Sequence, residues 1–218
     1  MQTFSKFISF VFHPIFIPVL AFLGYLQIDH YTVSAIASLP NAAFWTVLAF
    51  IVSFTIFLPL LGMSLMISSG IISDWQLKEH KDRVPVIILS AVLMGILIYL
   101  FKGIEENGGH LFYEFFGVIF GGIVVSLITA VFSYFWQISM HLSAISGLAG
   151  AMFGLTSILY PIGNMSDLVL INSFILLAIG ITAVARLSLN AHSLMQVFAG
   201  MIVGFGVEFM IVVNGWYI

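Results

Sequence analysis

The chain has 218 residues, of which 61% are hydrophobic and 7% charged, with a net charge of −3 and a mean hydropathy of +1.18. Soluble domains carry roughly 25% charged residues, so this composition excludes a soluble enzyme. The small, scattered charge gives no basis for a nucleic-acid partner, and the absence of cysteine excludes disulfide, thiolate-metal and thiol redox chemistry.

In chain order, apolar stretches near or above the roughly 18 to 20 residues that cross a bilayer predict membrane helices over 7–26, 43–69, 84–101, 111–136, 143–160, 168–185 and 192–213. The expectation is an all-α, polytopic membrane bundle of six to seven helices, forming a single domain over 1–218. Lys6 ahead of an apolar run has the look of a secretory leader, yet no small-residue cleavage site follows near 27–31. The stretch is therefore kept as a helix, bent at His13-Pro14 and Pro18 because proline removes a backbone donor. No internal repeat, low-complexity tract or long linker divides the chain.

Three polar islands interrupt the apolar sequence, at 78–85, 139–141 and 186–192, and four of the six Lys and Arg residues lie in them. Two predicted helices separate the first island from the second, and two more separate the second from the third. An even number of crossings returns the chain to the same face, so all three islands can meet at one membrane surface. Polar side chains at membrane depth are costly and face a bundle interior or a wet cavity, which makes them site candidates.

The first island holds Lys78, Glu79, His80, Lys81, Asp82 and Arg83 ahead of Pro85. A solvated loop whose cations anchor to headgroups explains it as well as a binding role does, and His80 fits a solvated or capping residue. In the third island Arg186 and His192 are six apart where one helix ends and the next begins. An arginine forks onto phosphate oxygens, and an imidazole beside it can attack phosphorus or move a proton. A snorkelling arginine with a capping histidine would account for the same pair. In the second island Ser139 and His141 flank Met140, and a lone Ser-x-His triplet is weak by itself.

In order and spacing, the islands resemble the three-part signature of the type 2 phosphatidic acid phosphatase family. Its pattern is lysine, six residues and arginine-proline; then proline-serine-glycine-histidine; then serine-arginine, five residues, histidine, three residues and aspartate. Ala185-Arg186, five residues and His192 match the third part apart from its leading serine. Ile138-Ser139-Met140-His141 keeps the serine and histidine of the second, while Lys78, Arg83 and Pro85 echo the first with altered spacing. The resemblance covers about 78–196. It implies a metal-independent lipid phosphatase, needing no cofactor, with His192 as the nucleophile that forms a phosphohistidine. It also implies that His141 protonates the leaving alkoxide and later activates water. Lys78, Arg83 and Arg186 would then hold the nonbridging oxygens with Ser139 as a hydrogen-bond donor, Lys81 being the alternative to Lys78. Preplaced cations would stabilise the charge that builds on those oxygens.

Two departures stand out. Gln196 occupies the position of the family aspartate, so it can orient the His192 ring but cannot stabilise its cation. Asp74, Glu79 or Asp82 could substitute, whereas Glu208 lies about 18 Å deeper along a helix. Met140 replaces a glycine and predicts a narrower pocket. A carboxylate metal site built from Asp74, Glu79 and Asp82 is a competing reading, but it needs a second acidic cluster on the same face. Glu105 and Glu106 fall on the opposite face, with Glu114 completing the only other acidic cluster. A nonenzymatic reading, in which the site binds a lipid phosphate for transport or assembly, fits Gln196. Gly200-x-x-x-Gly204, with Gly206 beyond, predicts helix packing; Trp75 and Trp136 are expected at the interface, and His13, His30 and His110 belong to no constellation. The expected partners are membrane lipids and a lipid phosphate or pyrophosphate reaching the site sideways between helices. The expected setting is a bacterial cytoplasmic membrane, and counting Lys and Arg puts the islands on its cytoplasmic side.

Overall fold

The computed structural model describes residues 2–28, 34, 36, 38–75, 77, 80–105, 112–159 and 165–216. Among them the regular structure is helical: α1 (Gln2–Val11), a 3-10 turn (Pro14–Phe16), α2 (Ile17–Tyr25), α3 (Asn41–Val52), a π turn (Ser53–Phe57), α4 (Leu58–Ser68), α5 (His80–Glu105), α6 (Tyr113–Phe135), α7 (Met140–Leu159), α8 (Met165–Ser188) and α9 (Leu194–Asn214). With α1–α2 and α3–α4 each counted as one broken span, seven segments are long and apolar enough to cross a membrane. This is a polytopic helical membrane protein. Helices are what such a chain can use, because lipid offers no partner for an unpaired backbone group.

The break in the first span falls where the prolines predict it. His13 caps the turn that Pro14 opens, accepting from the Ile15 N–H through Nδ1 at 3.3 Å. On α1 the outward face carries Phe4, Phe7 and Phe10, while Ser5, Ile8 and Ser9 are buried. This inverted amphipathicity suits a helix with lipid outside and polar partners inside.

The closest helix pair is α7 with α9. A Cβ on Gly204 would overlap the Ser143 carbonyl oxygen, one on Gly200 would press on the Ser139 carbonyl, and Gly150 meets the backbone at Phe205. Helices in lipid gain little hydrophobic drive from pairing, so close backbone approach through small residues supplies the contact. The predicted packing role holds for Gly200 and Gly204, but nothing lies within 4 Å of a Cβ on Gly206.

At the end of the bundle away from the islands, Phe22, Tyr25, Phe101, Phe112 and Phe115 are buried together. There the Tyr25 hydroxyl donates to Glu114 Oε2 at 2.9 Å. Glu105 closes α5 at that same end, while Glu106 lies outside the described residues.

Gly204→Ala forces an overlap with backbone that cannot rotate away, so it should cost about 1–3 kcal/mol. Gly206→Ala should leave the unfolding midpoint in detergent unchanged or slightly raised. Equal midpoints for the two variants would contradict the α7–α9 contact.

Candidate functional site

The five-residue gap between Arg186 and His192 is the length of one helix-to-helix turn. α8 ends in a pair of nested bonds, Ala191 N–H to Arg186 O at 3.2 Å and Asn190 N–H to Leu187 O at 3.0 Å. Asn190 takes the left-handed conformation this closure needs, φ 50°. Three residues later Ser193 caps α9 in a capping box: its hydroxyl accepts from the Gln196 N–H at 3.4 Å, and Gln196 Oε1 accepts from the Ser193 N–H at 2.9 Å. Arg186 is thus set in a last helical turn and His192 in the loop directly before the next cap. The Gln196 carbonyl in turn accepts from the Ser139 N–H at 3.2 Å, which ties the second island to the third.

Arg83 is held from two sides at the start of α5. Its Nε donates to the Leu77 carbonyl at 2.8 Å. With its amide oxygen turned toward the guanidinium, Gln137 accepts from both Nη1 and Nη2. Leu77 has φ 49°, an uncommon region for a bulky residue that costs of order 1–3 kcal/mol, and this conformation accompanies the carbonyl that Arg83 uses. The adjoining loop is pinned by Asp82, buried in the first turn of α5, which accepts from both the N–H and the hydroxyl of Ser73.

The inward face of α1 supplies the partners of the second and third islands. His141 Nε2 lies 3.0 Å from the Ser9 carbonyl; a carbonyl can only accept, so that nitrogen carries the proton and Nδ1 is left for chemistry. Arg186 Nη1 donates to Ser9 Oγ at 3.3 Å, and Ser5 and Ser188 share a 2.6 Å hydroxyl contact. His13 stands edge-on to His141, with ring centroids 5.2 Å apart.

Arg83, His141, Arg186 and His192 all line one cavity of about 690 Å³. Three stretches far apart in sequence meet there, as the even helix count predicts. Much of the remaining wall is apolar, with Phe16, Pro59, Met63, Ile87 and Val118 among its residues. Met140 stands on the wall where the family pattern has glycine. Exposed Phe10, Leu60 and Trp75 also belong to it, so the cavity opens toward the bilayer side of the bundle. Glu208, fourteen residues into α9 and hence about 21 Å along the helix, lines it too. Its carboxyl is buried with Oε2 unpartnered among the described residues, in room left by Gly121.

Two expectations are corrected, the donor role of Ser139 and the substitution by Asp82. Ser139 is fully buried and is not part of the cavity wall; its hydroxyl has no partner among the described residues, and its carbonyl accepts from Ser143. It therefore fastens the start of α7 and donates nothing into the cavity. Gln196 is off the wall too; its oxygen closes the cap, and its side chain also hydrogen-bonds the His192 ring. Lys78 and Glu79 lie outside the described residues, as do His30 and His110, while Lys81 is exposed and off the wall. Asp82 is occupied by Ser73 and does not substitute for the family aspartate. Among the described residues no three His, Cys, Asp or Glu side chains are grouped to hold a metal.

His13, Ser9 and Gln137 are the site residues that sequence reasoning missed. The signal for His13 was the His-Pro pair, which sets a capped turn at that point; Ser9 and Gln137 carry no local pattern.

Among the described residues no carboxylate pairs with Arg83 or Arg186, and the two guanidinium groups are close enough to repel each other. His192 feels both. Burial first and Arg186 second, with Arg83 adding to them, lower its pKa from 6.5 to about 4, while a hydrogen bond to the Gln196 side chain opposes the shift. His192 Nδ1 is buried with no hydrogen-bond partner among the described residues.

Compared with protein-family models, curated proteins and solved structures, the chain matches none of them. Its function is to be read from the residues on the cavity wall.

A His192 resonance followed by NMR should titrate near pH 4 and keep the ring neutral at pH 7. An unfolded histidine binds its proton near pH 6.5, so His192 is neutral toward stability above that pH. Its contribution should turn unfavourable as pH falls from 6.5 toward 4. Titration at 6.5 would contradict the buried, cation-flanked setting.

Proposed function

We propose that the protein is a lipid phosphatase that takes the phosphate of a lipid phosphomonoester or a polyprenyl pyrophosphate in this cavity and hydrolyses it through His192. The observation that carries the reading is the pair of arginines, Arg83 and Arg186, on the wall of one cavity with no carboxylate between them among the described residues. Partly buried cations without a counter-charge are costly, and a phosphate would supply one. The resemblance of the islands to the type 2 phosphatidic acid phosphatases supports the same roles for the same residues. The apolar wall fits the chain of such a ligand, reached from the bilayer near Phe10 and Leu60, and the expected setting is a bacterial cytoplasmic membrane.

In the first step a neutral His192 nitrogen bonds to phosphorus as the ester P–O bond breaks. The leaving oxygen takes a proton from Nδ1 of His141, whose Nε2–H rests on the Ser9 carbonyl. The phosphate dianion itself favours the protonated His141 that this step needs. His141 then removes a proton from water, and the hydroxide displaces His192 as the P–N bond breaks. Arg83 and Arg186 hold the nonbridging oxygens throughout, and neither step calls on a metal.

One observation favours a second reading on the same scaffold, a binder or transporter of lipid phosphates. Gln196 hydrogen-bonds His192 with an amide, which cannot stabilise the ring's cation as a carboxylate would, and among the described residues no carboxylate acts on that ring.

Purified protein in detergent should release phosphate from lipid phosphates or pyrophosphates with EDTA present, and His192→Ala should abolish the release. Loss of release in EDTA would sink the metal-independent mechanism. Gln196→Asp should raise the rate about tenfold or more, given what triad carboxylates contribute. Saturable binding of lipid phosphate with no release from either protein would favour the second reading.

A further inference from the structure

We propose that His13, on the proline-broken first span, is a further phosphate contact of this cavity, presenting a neutral N–H donor to a nonbridging oxygen beside His141. The inference rests on the reading of the cavity as a phosphate site and adds a residue outside the three islands.

Three observations carry it. His13 is on the wall of the same cavity as Arg83, Arg186, His141 and His192. Its Nδ1 accepts the Ile15 N–H, so in the neutral ring the proton is on Nε2. Its ring is 5.2 Å from that of His141 in an edge-on arrangement, which puts the two imidazoles side by side at one part of the wall.

The chemistry of the surroundings explains why a neutral donor serves here. Two guanidinium groups with no carboxylate partner among the described residues already supply the positive charge, and a third cation would add repulsion in a poorly screened site. A phosphate offers more acceptor lone pairs than two arginines can fill, and a neutral N–H fills one without adding charge. The Pro14 turn fixes the ring in advance: the backbone of the turn selects the tautomer, so little is lost in ordering the side chain when ligand arrives. The same bond links the first span to the ligand, for α1 also provides Ser9, which holds both His141 and Arg186.

Two substitutions separate the donor from the turn. Asparagine can place its oxygen where Nδ1 was, keeping the cap of the Ile15 N–H while losing the distal donor. Glutamine can place its nitrogen near Nε2, keeping the donor while losing the cap. Binding of inorganic phosphate to the full-length protein in detergent is the readout, with thermal midpoints confirming the fold and Arg186→Gln as the reference for the site itself. His13→Asn should weaken phosphate binding about tenfold or more, the value of a hydrogen bond to a charged group, and His13→Gln should stay within about threefold of wild type.

Wild-type affinity in His13→Asn would overturn the proposal and leave the phosphate site standing. Equal loss in both variants would assign His13 to the turn alone and overturn the donor role. Failure of the wild type to bind phosphate, or indifference to Arg186→Gln, would overturn the cavity reading and this inference with it.

Discussion

Two guanidinium groups held near each other in a largely apolar wall, with no carboxylate between them among the described residues, constrain everything else around the site. In a medium of low polarity such a pair is repulsive and poorly solvated, so the fold must hold each one by neutral oxygens. It does so with the Leu77 carbonyl and the Gln137 amide for Arg83, and with the Ser9 hydroxyl for Arg186. These acceptors orient the cations without neutralising them. The positive charge therefore remains available to an anion, and His192 is kept neutral beside it.

The architecture follows from bringing those holders together. An even number of crossings between islands puts Arg83, His141 and Arg186 at one end of the bundle. The glycine-mediated contact of α7 with α9 and the Ser139-to-Gln196 backbone bond then fix the second island against the third. The first span, broken at His13-Pro14, turns its serine face inward and its phenylalanines to lipid. The cavity beneath is mostly apolar, with Glu208 among its lining residues.

Much of this was legible in the sequence, because hydrophobic stretches of bilayer length report spans directly and polar residues inside them report sites. The helix count, the bend at Pro14 and the convergence of Arg83, His141, Arg186 and His192 followed from those two rules. Side-chain roles that depend on local backbone geometry did not. Ser139 reads as a donor in a motif, but its hydroxyl points into the packed start of α7. Gln196 reads as a substituted aspartate, and besides its hydrogen bond to His192 its oxygen closes a capping box whose Ser-x-x-Gln spacing was visible. Ser9, Gln137 and His13 reach the site through tertiary contacts between elements distant in the chain, and no spacing rule links them to the islands.

The most direct test of the central claim is the position of bound orthovanadate in an experimentally determined structure of the protein in lipid nanodiscs. The account predicts vanadate between Arg83 and Arg186, within bonding reach of His192 and beside His141. Vanadate bound elsewhere, or the two guanidinium groups turned out of a cavity that stays empty at saturating vanadate, would contradict it.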